Sequence, residues 1–134
     1  YGRSDTTLNP GGVRLGTAEI YNVVDKLKEI NESIVIGQSW KNDIRIVLFI
    51  VLNKGYSLTD EIKNKIKQEI KTKASPRHVP SKIILISEIP KTKNGKLVEL
   101  AVKQVIDGET IKNLEALANP DSLKQFKNIK ELNE

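Results

Sequence analysis

Apolar residues along this chain fall into blocks of two different periodicities. Ile20, Val23, Val24 and Leu27 recur at helical spacing and predict a helix with one buried stripe. Thr17, just ahead of it, is a candidate N-cap, and Glu19 sits where a helix N-terminus favours an acid. Residues 33–37 are short and β-branched, whereas residues 45–52 are almost continuously apolar, the pattern of a central strand covered on both faces. Trp40-Lys41-Asn42-Asp43 fits a turn between them, so the two strands are expected to be antiparallel neighbours. A second helix is predicted over residues 59–73, opened by Thr59-Asp60-Glu61, with Ile62, Ile66 and Ile70 as its buried face. The prolines of Pro76-Arg77-His78-Val79-Pro80 end it. A third strand follows over 82–87. Val98, Ala101, Val102 and Val105 then mark a third helix ending near Asp107-Gly108. At the start of the chain, Asn9-Pro10-Gly11-Gly12 is turn chemistry between segments able to pair as strands. The expected fold is α+β: a small β-hairpin, then a roughly three-stranded sheet flanked by two or three helices. The tail after Gly108 is polar, with Leu117, Leu123 and Phe126 spaced as if to pack back on the body.

Composition narrows the chemistry. The 134 residues are the size of one domain, and aromatics are only 4%, so the core must be built from Ile, Leu and Val. The chain has no cysteine, which removes disulfides, a catalytic thiol and thiolate metal sites, and its one histidine, His78, gives a zinc site no support. The longest apolar run is far too short to span a bilayer, so a cytoplasmic setting is expected, with no membrane partner. The chain begins at Tyr1, not a methionine, and directly in a motif-like stretch, which suggests a piece of a longer polypeptide. Twenty-two basic residues against 17 acidic give a formal charge of +5, a surplus that suits phosphate-bearing partners such as nucleic acid, nucleotides or CoA. The plainer reading is a lysine-rich, solvated surface, and it applies first to Lys63, Lys65, Lys67, Lys71 and Lys73 of the second helix.

Two loops carry candidate chemistry. Pro90-Lys91-Thr92-Lys93-Asn94-Gly95-Lys96 presents a lysine on an exposed turn, either simply solvated or placed to bring a compact, flexible charge to a phosphate or carboxylate. It lacks the spacing of a Walker loop. In Gly2-Arg3-Ser4-Asp5 and Gly11-Gly12-Val13-Arg14, paired glycines allow either a sharp turn or a close backbone approach to a ligand, with Arg14 in reach of an anion. No Gly-x-Gly-x-x-Gly run is present.

Taken in order, these loops resemble the C-terminal domain of the acyl-adenylate-forming superfamily, which includes acyl-CoA synthetases, luciferases and peptide-synthetase adenylation domains. Gly2-Arg3-Ser4-Asp5, Gly12-Val13-Arg14-Leu15 and Glu19-Ile20 are similar to its hinge motif; Pro90-Lys91-Thr92 with Gly95-Lys96 is similar to its catalytic-lysine motif. Thr6-Thr7-Leu8-Asn9-Pro10-Gly11-Gly12, Ser75-Pro76-Arg77-His78-Val79-Pro80, Val98-Glu99-Leu100-Ala101-Val102 and Ala116-Leu117-Ala118-Asn119-Pro120 look like the acetoacetate-activating branch. One departure stands out: Glu99 occupies a stretch where many relatives carry an arginine.

The resemblance implies a lid in three parts: residues 1–5 as hinge from a missing N-terminal domain, 6–107 as the lid, and 108–134 as an extension packing on it. It implies a ligase that converts acetoacetate, ATP and CoA to acetoacetyl-CoA, AMP and pyrophosphate, the isolated domain being inactive and magnesium binding outside it. Lys96 would be catalytic and Asp5 the hinge. Arg3 and Arg14 would lie near the nucleotide phosphates. Gly11, Gly12 and Val13 would line the CoA tunnel, with Lys67 and Lys71 as candidates for the CoA phosphates. Partners would be the N-terminal domain and the three substrates, with a lysine acylase or deacylase acting on Lys96. Competing readings are an acetate- or propionate-specific lid, and a basic nucleic-acid-binding or interaction module; few aromatics and well-mixed charge speak against the latter.

Overall fold

The computed structural model of the chain describes residues 7–8, 15–41, 43–89, 99–106 and 126. Strands β1 (Thr7–Leu8) and β2 (Leu15–Gly16) pair antiparallel, Thr7 opposite Gly16 and Leu8 opposite Leu15, as expected for a small hairpin. Helix α1 (Ala18–Val24) follows at once. Then come β3 (Ile30–Trp40), β4 (Asp43–Leu52), α2 (Asp60–Lys73), a single 3-10 turn at Pro76–His78, β5 (Lys82–Leu85) and α3 (Glu99–Ile106). The architecture is α+β, and β4 is the middle strand of a three-stranded sheet ordered β3-β4-β5, antiparallel to β3 and parallel to β5.

The continuous apolar run makes β4 central for a simple reason. Successive strand residues point to opposite faces, and both faces here are covered. Ile46, Leu48 and Ile50 point into a core shared with Ile20, Tyr21 and Val24 of α1 and Ile66 and Ile70 of α2. Val47 and Phe49 point into a second core with Ile34, Ile36, Ile84, Ile86, Ile89, Val102 of α3 and Phe126 of the tail. Each fully buried aliphatic side chain stabilises the fold by about 1.5–3 kcal/mol, so a strand contributing to two cores fixes the sheet. Phe126 packs its ring edge-on against Phe49, centroids 4.8 Å apart at 78°. Leu117 and Leu123 lie outside the described residues.

Three details differ from expectation. β3 is much longer than the five residues its own pattern marks, because β4 pairs with it in register from Ile30 opposite Leu52 to Trp40 opposite Asp43, with one irregularity between Ile30 and Glu32. β5 ends at Leu85, although backbone bonds from Ser81 N–H to the Ile46 carbonyl and from Ile86 N–H to the Ile50 carbonyl continue its attachment. Thr17 stands at the α1 N-cap but its side chain makes no capping bond: among the described residues its buried Oγ1 has no hydrogen-bond partner, and its carbonyl serves the helix, accepting from Ile20 and Tyr21 N–H. Thr59, by contrast, caps α2 as expected, its Oγ1 accepting from Ile62 N–H at 3.3 Å.

Candidate functional site

Most residues singled out in the sequence lie outside the described residues: Arg3, Asp5, Gly11, Gly12, Val13, Arg14 and Lys96. Their attachment points are described. The Gly11-Gly12-Val13 segment is the connection between β1 and β2, so an antiparallel pair brackets it. On either side of the Lys96 segment, Ile89 is 1% exposed and Val102 of α3 is fully buried. Both belong to the same core as Phe49 and Phe126.

Lys67 and Lys71 are placed on α2, and the helix sorts its lysines by flank. With 3.6 residues per turn, positions 63, 67 and 71 run down one side of the Ile62-Ile66-Ile70 stripe and positions 61, 65, 69 and 73 down the other. The second flank is paired. Lys65 Nζ lies 2.6 Å from Glu29 Oε2 and Lys73 Nζ 3.1 Å from Glu69 Oε2. Lys73 also lines a shallow cleft of about 210 Å³ with Glu19, Asn22, Val23 and Lys26 of the α1 region. This flank therefore faces α1. Lys63, Lys67 and Lys71, turned the other way, form no ion pair with a described residue. The lysines expected to be uniformly solvated are thus of two kinds.

Glu29 shows what the paired flank does. Its side chain is only 9% exposed, against 43% for Lys65. Burial alone would raise its pKa, but the Lys65 hydrogen bond outweighs that and holds the carboxyl below its ordinary value, while Lys65 is held above its own. The other oxygen, Oε1, is buried and has no hydrogen-bond partner among the described residues. The Glu29 carbonyl accepts from Asn53 N–H at 2.8 Å, and Asn53 Nδ2 donates to the Lys28 carbonyl at 2.7 Å, so the link ahead of β3, the exit of β4 and α2 are tied at one point.

One contact had no signal in the sequence. His78 is buried at the 3-10 turn, with Nδ1 2.6 Å from Ser75 Oγ and Nε2 3.1 Å from Glu19 Oε2. A neutral ring satisfies both in a single tautomer: Nε2–H donates to the carboxylate, and Nδ1 accepts from the hydroxyl. The single histidine thereby pins the link between α2 and β5 to the first turn of α1. Only its spacing from two prolines was visible in the sequence, and that indicated a break, not a bridge. Among the described residues no group of three or more His, Asp or Glu side chains could hold a metal ion, and no helix is long and apolar enough to cross a membrane.

The comparisons with known proteins agree with this geometry. Residues 19–96, more than half of the chain, match the model of the AMP-binding enzyme C-terminal domain. The chain is 55% identical over 132 residues, 98% of its length, to the acetoacetyl-coenzyme A synthetase of Rhizobium meliloti (strain 1021), of which it covers 20%. It superimposes on the acetoacetyl-CoA synthetase of Streptomyces lividans with a TM-score of 0.84 at 38% identity, covering 99% of this chain and 20% of that one. An acyl-CoA synthetase of Brucella canis gives 0.70 at 25% identity over 77% of this chain and 19% of its own. The chain spans about a fifth of the length of the curated relatives it matches. Fold, matched span and the order of its elements agree: the chain belongs to the family of AMP-binding enzyme C-terminal domains.

Proposed function

We propose that this chain is the mobile C-terminal domain of an AMP-forming acid–thiol ligase whose acid is acetoacetate. The observation that carries the reading is the near-complete likeness to acetoacetyl-coenzyme A synthetase, 98% of the chain at 55% identity, beside two loop motifs in the family's order. In the reaction, a carboxylate oxygen attacks the α-phosphorus of ATP and pyrophosphate leaves. The CoA thiol sulfur then attacks the acyl carbon of the adenylate and AMP leaves. Residues 1–5 are the hinge, with Asp5 taking up the change in backbone torsion, 6–107 the lid, and 108–134 the extension.

Lys96 serves the first step. Charge aimed at developing negative oxygens is what such a transfer needs, and a lysine supplies it as a compact point charge. Arg3 and Arg14 lie near the nucleotide phosphates. In the second step Gly11, Gly12 and Val13 line the CoA tunnel, where a side chain at Gly12 would obstruct the thiol arm. Lys67 and Lys71, on the unpaired flank of α2, take CoA phosphates. Acylation of Lys96 by a lysine acylase would remove its charge and silence adenylation until reversed. In this reading magnesium belongs to the N-terminal domain, with the acid pocket.

Half-reaction kinetics of the full-length enzyme test the assignment. Lys96→Ala should lower acid-dependent ATP–pyrophosphate exchange by about 10²–10³-fold, yet spare thioester formation from supplied acyl-adenylate. Equal loss of both half-reactions would refute it.

A further inference from the structure

The one histidine of the chain sits in the middle of a hydrogen-bonded relay. Ser75 Oγ lies 2.6 Å from His78 Nδ1, and His78 Nε2 lies 3.1 Å from Glu19 Oε2. With Nε2–H donated to the carboxylate, Nδ1 turns a lone pair to the serine hydroxyl. An activated nucleophile needs this arrangement: hydroxyl and base within hydrogen-bond reach, and a third group that fixes the base. Either ring nitrogen serves as the base once the other is held as N–H.

The surroundings suit the chemistry. Ser75 precedes the 3-10 turn at Pro76–His78, yet its side chain makes no capping bond there, so His78 is the hydroxyl's one partner among the described residues. The His78 side chain is only 9% exposed, whereas that of Glu19 is 62% exposed. Glu19 therefore orients the ring more than it charges it, because an exposed carboxylate is screened. Glu19 also lines the cleft of about 210 Å³, together with Lys73, which stands two positions before Ser75. Room for a small acyl group thus lies beside the relay. Neither the hydroxyl nor the ring has a part in the two ligase steps described above.

We infer that Ser75 is a nucleophile, a site of covalent acylation by activated esters, with His78 as its general base and Glu19 as a positioning residue. The step is a substitution at the acyl carbon. Ser75 Oγ bonds to that carbon as its proton passes to His78 Nδ1. The bond from the carbon to the leaving oxygen breaks, and the ring gives the proton to that oxygen. The product is a serine ester beside a neutral ring.

A fluorophosphonate probe on the full-length enzyme tests this directly. It reacts by the same kind of substitution, at phosphorus with loss of fluoride, and its adduct does not turn over. Peptide mapping by mass spectrometry should find the adduct on Ser75 and not on Ser57 or Ser81, exposed serines that make no bond to His78. An excess of p-nitrophenyl acetate should slow the labelling of Ser75. His78→Gln should lower the labelling rate by about 10²-fold or more, the usual share of a general base. Glu19→Ala should lower it as well, and Glu19→Gln should restore part of the loss, since an amide oxygen still accepts from Nε2–H. A merely structural bridge would give no adduct on Ser75 in the wild type, and that result, which needs no variant to fold, overturns the inference. So does labelling that His78→Gln leaves unchanged or that p-nitrophenyl acetate does not slow. A wild-type rate in Glu19→Ala would overturn the part given to Glu19.

Discussion

At the scale of single residues, the informative feature is a buried carboxylate whose partner is half in solvent. Glu29 is held ionised by Lys65 against the cost of its own burial. Its folded pKa lies below its ordinary value of 4.5, so the pair contributes stability above that value and loses it as pH falls through the folded pKa. Lys65 is shifted upward from 10.5, so its share is present below that value and is lost as pH rises through the folded one. The pair therefore stabilises the chain across the neutral range and fails at both ends. Urea unfolding of the wild type and of Glu29→Gln as a function of pH checks the sign. The advantage of the wild type should be constant near neutrality and should shrink as pH falls below about 4.5. An advantage that grows on acidification would mean that desolvation, not Lys65, controls the carboxyl.

At the scale of elements, the β3–β4 hairpin shows where the pattern of a sequence stops being enough. Trp40 opposes Asp43, leaving a two-residue connection, and Lys41 sits at φ +48°, in the left-handed region. Tight hairpins of this length favour glycine or asparagine there. Lys41→Gly should therefore raise stability by roughly 0.5–1 kcal/mol, the relief of strain exceeding the added chain entropy. A higher denaturation midpoint at unchanged cooperativity would show it; a lower one would mean the lysine's own contacts dominate. The same hairpin explains what was legible. β4 could be read as central because only a doubly covered strand tolerates Ile46 through Leu52 without a polar interruption. The length of β3 could not, because Glu32, Gln38 and Ser39 look like loop; the partner strand and the tight turn extend the pairing past them. Thr17 takes the N-cap position its type suggested, but its buried hydroxyl makes no capping bond to the helix, which residue type alone does not reveal. The Glu19–Ser75–His78 contact was invisible because nothing local joins α1 to the turn after α2. The candidate site was suggested only by the order and spacing of its motifs; by composition alone, Lys96 reads better as a solvated surface charge.

At the scale of the whole molecule, the question is which part of a +5 surface is available to an anion. The charge of α2 is divided by its neighbours: α1 and its link to β3 engage one flank, leaving Lys63, Lys67 and Lys71 facing away. If Lys67 and Lys71 hold CoA phosphates in the second half-reaction, the Lys67→Gln/Lys71→Gln enzyme should show a higher KM for CoA, by up to about fivefold per lysine if each contact resembles an exposed ion pair. Pyrophosphate exchange, which precedes CoA, should be unchanged. Raising the salt to about 0.5 M should narrow the gap to wild type, because it shortens the reach of exposed charges. Lys73→Gln is the internal control: it removes the same formal charge from the same helix, but from the paired flank. A rise in the KM for CoA as large in Lys73→Gln as in the double variant would point to net charge alone. No rise in either would return the whole helix to a solvated face and leave the CoA phosphates to the N-terminal domain. Only a rise confined to the unpaired flank fits a lid that turns one side of α2 to its own core and the other to the second substrate.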